Sequence, residues 1–357
     1  MSAPEPILRV SDLEVSFATD EGLVRAVDGV TFELLAGEVL AVVGESGCGK
    51  SVTAMTLLGL TRSANARFAG AAYYGDTELL GASDAELQQI RGAEIAMIFQ
   101  DAASSLNPVQ RIGKQVAEQI QAHETVSDAQ ARERAIELLE RVGIPNARRR
   151  VDAYPFELSG GMRQRVMIAL ALSCDPRVLI ADEPTTALDV TIQAQILERF
   201  RELVMQMGTS VILVTHDLGV VTDIADRIAV MYAGRIVERG SLDEIFYDPQ
   251  HPYTWGLLGS IPRMDRPRPQ RLPTIPGLPP SLAQRPDGCH LRPRCPHEFD
   301  RCMKTPPLQS RVPGSAQHLD RCWLSCEQKR RLREIEPGVI GLRHKHEVEL
   351  TKGGAGG

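Results

Sequence analysis

No stretch of this 357-residue chain approaches the ~20 consecutive apolar residues that cross a bilayer. If the chain works at a membrane, another chain must supply the span. The opening segment, MSAPEPILRV, lacks the basic start and apolar stretch of a secretory signal, so the expected location is the cytoplasm. Positive charge is not in excess: the formal net charge is -6 and the isoelectric point about 5.8. A grip on nucleic acid needs net positive charge or a basic face, so nucleic acid is not an expected partner. Basic residues bunch at Arg148, Arg149 and Arg150 and at Lys329, Arg330 and Arg331, where they read as solvated helix ends and turns. Internal repeats and long coiled-coil insertions are also missing.

What remains is ordinary globular composition, 43% hydrophobic and 24% charged, enough for two or three domains and a core without covalent staples. LRVSDLEVSF alternates apolar and polar residues, as a half-buried strand does. EVLAVVG, RVLIADE and SVILVTHD are apolar runs that suit strands buried in a sheet. Helical patterns lie between them, so the sheet is expected to be largely parallel with crossovers. Residues 127–143 read as an amphipathic helix. Ser127 and Gln130 have capping-box spacing, and Gly143 with Pro145 stops the helix. Near residue 249 the composition shifts: prolines become dense and cysteines cluster, which predicts a second, smaller module. The end, ELTKGGAGG, reads as a flexible tail or an expression remnant.

Gly44-Glu45-Ser46-Gly47-Cys48-Gly49-Lys50-Ser51 fits G-x-x-x-x-G-K-[ST], between an apolar strand and a helical pattern. Glycines let successive N–H groups face one anion, and the following helix adds its positive end. Lys50 is expected to reach the β- and γ-phosphates, and the Ser51 hydroxyl to ligate Mg²⁺. Cys48 contributes its backbone N–H, while its thiol makes the loop a candidate for oxidation. This loop alone indicates a bound nucleoside triphosphate, since kinases, GTPases and helicases share it. Asp182 and Glu183 end the strand RVLIADE, at the edge where such sheets bind ligands. Asp182 is placed to hold Mg²⁺ through water and Glu183 to polarise an attacking water as general base. His216 ends SVILVT in the same way and can contact the γ-phosphate.

Leu158-Ser159-Gly160-Gly161-Met162-Arg163-Gln164-Arg165 resembles the signature of the ATP-binding-cassette (ABC) ATPases, and the family's other motifs occur in order over about residues 5–250. The resemblance implies an α/β cassette, with a mixed sheet core carrying the phosphate loop and a helical subdomain at about 101–175. It implies ATP and Mg²⁺ as ligands and ATP hydrolysis as the reaction. Phe17 resembles the aromatic that stacks on adenine, with Val24 in support and Val52 beside the loop. Gln100 resembles the glutamine that senses Mg²⁺ and the γ-phosphate, and so joins Ser51 and Asp182 as a Mg²⁺ contact. Asp189 resembles the aspartate that signals between cassettes, and His216 the switch histidine. Ser159, Gly160, Gly161 and Gln164 are expected to serve another chain's ATP, so a second ABC ATPase subunit is implied, with a heterodimer expected and a homodimer open.

Phe99-Gln100-Asp101-Ala102-Ala103-Ser104-Ser105-Leu106-Asn107-Pro108 and Asp248-Pro249-Gln250-His251-Pro252-Tyr253-Thr254 resemble the oligopeptide/dipeptide importer subfamily. Gly288-Cys289-His290-Leu291-Arg292-Pro293-Arg294-Cys295-Pro296 continues its C-terminal extension. The resemblance implies peptide uptake at the cytoplasmic face of the cell membrane, with two membrane-spanning permease subunits and an extracytoplasmic peptide-binding protein. Nickel and glutathione importers share the extension, and soluble ABC ATPases acting on DNA or ribosomes form a different class. The expected division is a nucleotide-binding domain at 1–250, the extension at 251–330 and a tail at 331–357. Cys289, Cys295, Cys302 and Cys322 suit either a four-iron, four-sulfur cluster or tetrahedral Zn²⁺, and spacings of C-x₅-C and C-x₆-C match neither common pattern. The resemblance favours a [4Fe-4S] cluster at these four. Cys326 competes with Cys322 as fourth ligand, and free thiols remain open.

Overall fold

The computed structural model describes residues 5–20, 22–185, 190–261, 275–310, 312 and 315–335. Two long strands, β1 (Pro6–Thr19) and β2 (Gly22–Leu35), pair as an antiparallel hairpin. Strand β3 (Val39–Val43) then runs into helix α1 (Lys50–Leu57). β4 (Ala66–Tyr74) and β5 (Thr77–Glu78) return to the hairpin, completing a sheet of order β2-β1-β4-β5. After α2 (Asp84–Ile90) and β6 (Ile95–Ile98) come helices alone: α3 (Ala102–Ser105), α4 (Ile112–His123), α5 (Asp128–Arg141), α6 (Ala147–Arg150) and α7 (Gly160–Ala171). Helix α5 has the expected cap, with Ser127 and Gln130 bonded reciprocally, and Gly143 follows it at φ 82°.

The chain re-enters the sheet with β7 (Val178–Asp182), α8 (Val190–Met207), β8 (Ser210–Thr215), α9 (Leu218–Val221), β9 (Arg227–Tyr232) and β10 (Arg235–Ser241). It ends with α10 (Leu242–Tyr247), α11 (Pro252–Gly259), β11 (Gln309–Ser310), β12 (Leu319–Asp320) and α12 (Cys326–Ile335). The main sheet has the order β11-β12-β10-β9-β3-β8-β7-β6. Strands β9, β3, β8, β7 and β6 are parallel, and β10 turns antiparallel on β9. The expected parallel core is therefore present, with an antiparallel edge added.

The apolar runs are explained by burial on both faces. In β3, Val39, Ala41 and Val43 face the cluster that includes α4, α5, α7 and α8, whereas Leu40 and Val42 face the hairpin sheet and α1. β7 and β8 divide likewise, with Leu179, Ala181, Val211 and Leu213 on one side and Ile180, Ile212 and Val214 on the other.

The C-terminal segment extends this sheet, since β12 pairs with β10, placing Asp320 opposite Glu238. The seam holds buried charge. Glu238 is fully buried, accepts N–H bonds from Gln250 (2.5 Å) and His251 (2.9 Å), and lies 2.8 Å from His318 Nε2. Lys329 and Asp320, also buried, pair at 2.7 Å, so helix α12 is tied to the same strand. Burial disfavours ionisation of Glu238, but the His318 hydrogen bond and charge outweigh it and hold its carboxyl below the usual value. Burial likewise disfavours the imidazolium, yet bonding to Glu238 raises His318.

Replacing His318 with Ala leaves Glu238 buried and unpaired. It is expected to cost about 3–5 kcal/mol, read as a lower denaturation midpoint. Glu238 contributes above the ordinary carboxyl value of 4.5 and loses that contribution as pH falls through its depressed folded value. His318 contributes fully below 6.5 and loses it as pH rises through its raised folded value. The advantage of wild type over His318→Ala should therefore be widest between pH 4.5 and 6.5 and narrow as the pH climbs.

Candidate functional site

β3 lies between β8 and β9, and its five residues are buried, so the following loop leaves from the middle of the sheet. Two of its glycines are required by close approach. A Cβ at Gly44 would stand 2.1 Å from the Met231 carbonyl oxygen, and one at Gly49 2.4 Å from that of Ala26. Lys50, at the start of α1, is buried and folds back over the loop. Its ammonium donates to the carbonyls of Gly44 (2.7 Å) and Glu45 (3.0 Å). Ser46 and Gly47 are exposed. Cys48 is buried, and burial pushes its thiol above the usual cysteine value. Burial thus works against the thiolate form at this position.

Ser51 Oγ donates to Asp182 Oδ1 at 3.0 Å, joining the loop to the end of β7. Burial raises the Asp182 carboxyl and the charge of Glu183 adds to this, against the Ser51 hydrogen bond and the Lys50 charge. Glu183 sits just past the strand at φ 47°, left-handed backbone that costs an ordinary residue roughly 1–3 kcal/mol. The strained turn points its carboxylate between two side chains. Gln100 Nε2 donates to Oε2 at 2.8 Å, and His216 Nδ1 lies 3.0 Å from Oε1. Half of the His216 side chain remains exposed, while Glu183 is buried. Residues 51, 100, 182, 183 and 216 thus converge on one site.

Phe17 and Val24 are directly opposite in the β1–β2 hairpin, and both are half-buried. Their strand passes the loop two residues on, where Ala26 meets Gly49. Val52, one turn into α1, packs on the core beneath the hairpin sheet. Ser159 caps α7 by accepting from Met162 N–H (3.3 Å), and Ser159 and Gly160 are exposed. No hydrogen bond of the described residues joins Ser159–Gly161 to the phosphate loop. Gln164 differs from expectation. It is buried, and its amide donates to the Pro184 carbonyl, so it ties α7 to the turn after Glu183 instead of facing outward. Asp189, with Thr186, Ala187 and Leu188, lies outside the described residues.

Cys289, Cys295, Cys302 and Cys322 line a single small cavity of about 10 Å³, together with His251 and His297. Cys326 begins α12 and is not part of that lining. Burial raises the Cys289 thiol and pushes Cys295 and Cys322 up to about 12. Among the described residues, no three His, Cys, Asp or Glu side chains are gathered as a single metal ion requires. Neither the expected [4Fe-4S] cluster nor the tetrahedral zinc alternative is therefore supported by the gathering of these side chains.

Sequence reasoning missed a link between this module and the phosphate loop. Arg294 makes a two-pronged ion pair with Glu45, Nη1 to Oε2 at 2.7 Å and Nη2 to Oε1 at 3.1 Å. Tyr253 Oη accepts the Glu45 N–H at 2.9 Å. The only signal was the motif Arg292-Pro293-Arg294 beside Cys295. A broad groove elsewhere is lined by Leu58, Leu60, Phe99, Ser105, His123 and Met167, and Leu60 and Phe99 are exposed in it. Among the described residues, no helix is long and apolar enough to cross a membrane.

The ABC transporter family model matches residues 27–186, and that of the oligopeptide/dipeptide transporter C-terminal region matches residues 237–302. The oligopeptide transport ATP-binding protein OppD of Salmonella typhimurium is 50% identical over 315 residues, which is 87% of this chain and 93% of OppD. The dipeptide transport ATP-binding protein DppD of Bacillus subtilis is 50% identical over 321 residues, 90% of this chain and 95% of DppD. A dimeric post-hydrolysis state of the ATP-binding cassette MJ0796, bound to ADP and Pi, matches with a TM-score of 0.60 at 27% identity, over 66% of this chain and 98% of that cassette. This chain belongs to the ABC transporter family, among the ATP-binding subunits that carry the oligopeptide/dipeptide transporter C-terminal region.

Proposed function

We propose that this chain is the ATP-hydrolysing subunit of an importer that carries peptides across the cytoplasmic membrane. The observation that carries the reading is the convergence on Glu183. Its carboxylate is held by Gln100 and His216 next to Asp182, which is bonded to Ser51 of the phosphate loop. In this reading Gly44–Ser51 cradles the triphosphate, with Phe17 and Val24 against the adenine. Ser51, Asp182 and Gln100 would hold Mg²⁺, which supplies charge neutralisation at the β- and γ-oxygens when bound. Glu183 accepts a proton from the attacking water, and His216 keeps that water and the carboxylate aligned. Buried Lys50 moves from the loop carbonyls to the phosphate oxygens.

The exposed turn Ser159–Gly161 is assigned to a second cassette's ATP, and Asp189 to signalling between the two. The dimeric state of the MJ0796 cassette supports such a pair. ATP then acts as the adhesive between cassettes, and hydrolysis releases them. One of two permease subunits would seat a cytoplasmic helix in the groove by Leu60 and Phe99, placing the chain at the cytoplasmic face, and the second cassette would be a related chain in a heterodimer. The OppD and DppD names support peptides as cargo, and an extracytoplasmic peptide-binding protein would be the donor. Residues 1–250 form the nucleotide-binding unit, with its helical part at about 101–175; 251–330 form the extension and 331–357 the tail. Cys289, Cys295, Cys302 and Cys322 would hold a four-iron, four-sulfur cluster. What supports this reading is that the four thiols line one shared cavity. A bound cluster would add cohesion to a small, loop-rich segment.

Lys50→Ala is expected to abolish nucleotide binding, checked with a fluorescent ATP analogue. Glu183→Gln should still bind ATP while hydrolysis falls by ~10²–10⁴, trapping a closed cassette pair visible by size-exclusion chromatography; full ATPase in this variant would remove Glu183 from its role. Anaerobically purified protein should be brown, with iron and acid-labile sulfide that Cys295→Ser loses. Colourless, iron-free wild-type protein would refute the cluster.

A further inference from the structure

We propose that Arg294 and Tyr253 are positioning residues of the nucleotide site, so that the C-terminal extension completes the phosphate loop. This rests on the ATPase reading above and goes beyond it, since the residues assigned to nucleotide all precede residue 217.

Glu45 is the second residue of the loop, and it adds a negative charge to the segment assigned to a polyanionic ligand. Uncompensated, that charge would oppose the phosphates. Arg294 neutralises it with a planar fork, and the fork is itself fully engaged. Its Nε–H donates to the Pro276 carbonyl (2.8 Å), Nη1 to Glu45 and the Tyr232 hydroxyl (3.4 Å), and Nη2 to Glu45 and the Ile275 carbonyl (3.3 Å). All five N–H donors of a guanidinium thereby have acceptors, which fixes its orientation. The Arg294 side chain is only 5% exposed, compared with 28% for Glu45.

Tyr253 acts on the backbone of the same residue. It is fully buried, its ring lies 4.5 Å from that of Tyr232, and its hydroxyl accepts the Glu45 N–H. Side chain and amide of Glu45 are thus both held from the extension. The third group, the Glu45 carbonyl, receives Lys50. Displacing Glu45 therefore displaces the acceptor that orients the phosphate-binding lysine. The anchors are rigid for local reasons: Arg294 closes a 3₁₀ turn by donating its N–H to Leu291, and Tyr253 sits in the first turn of α11.

The test is MgATP affinity and steady-state ATPase of the full-length chain assembled with its permease and cassette partners. Arg294→Ala is expected to raise the Kd and KM on the order of tenfold while kcat changes little, the pattern of lost binding without lost chemistry. Arg294→Lys should recover only part, because it restores charge without the fork. Adding Glu45→Gln to Arg294→Ala should recover most of the affinity, since no carboxylate is left to repel phosphate. Tyr253→Phe, which removes one hydroxyl, should raise the Kd several-fold and decides the matter if Arg294→Ala does not fold. Folded Arg294→Ala and Tyr253→Phe proteins with wild-type Kd and KM would overturn the positioning role. Absence of ATPase in the wild-type assembly would instead overturn the functional reading on which it rests.

Discussion

A strand covered on both faces can offer its backbone to a ligand only at its end, and the nucleotide site depends on that constraint. β3 is buried above by the helices and below by the hairpin sheet, so the chain turns outward only after Val43. The loop there is confined by the carbonyls of Met231 and Ala26, which leave no room for a side chain at Gly44 or Gly49. The neighbouring strands β7 and β8 end at the same edge, which brings the adjacent Asp182 and Glu183, and the distant His216, to the loop.

Within that frame the charges are arranged by mutual restraint. Asp182 is engaged by Ser51, and Glu183 by Gln100 and His216, in a turn whose backbone conformation is itself unfavourable. Holding a carboxylate in position before substrate arrives lowers the reorganisation needed during reaction. Gln164 belongs to the same restraint, because its bond to Pro184 supports the turn from the signature helix.

The C-terminal extension joins the rest through apolar packing, with Tyr253, Leu258 and Leu291 in the core cluster of the main sheet, and through polar contacts. Glu238 with His318 locks it onto β10, Asp320 with Lys329 ties α12 to β12 within it, and Arg294 with Glu45 reaches the phosphate loop. Buried ionic pairs of this kind add little net stability compared with apolar substitutes, but they penalise any other register, since each misplacement strands a charge. The four-cysteine cavity lies between these fastenings.

Local chemistry was legible from the residues themselves. Gly44–Ser51, the apolar runs ending in Asp182 and Thr215, and the Ser127 cap on α5 each depend on neighbours a few positions away, so spacing was enough to read them. Family resemblance brought in Gln100 and Phe17, and the structure places one on Glu183 and the other opposite Val24. The inward turn of Gln164, the burial of Cys48, the exclusion of Cys326 from the cavity and the grip of Arg294 on Glu45 were not readable. Each depends on which surfaces meet across long separations in sequence, 249 residues for Arg294 and Glu45. Sequence determined which groups could bind phosphate, move a proton or ligate metal. Tertiary structure decided which of them face each other, because burial and pairing of charge are settled only when the elements pack.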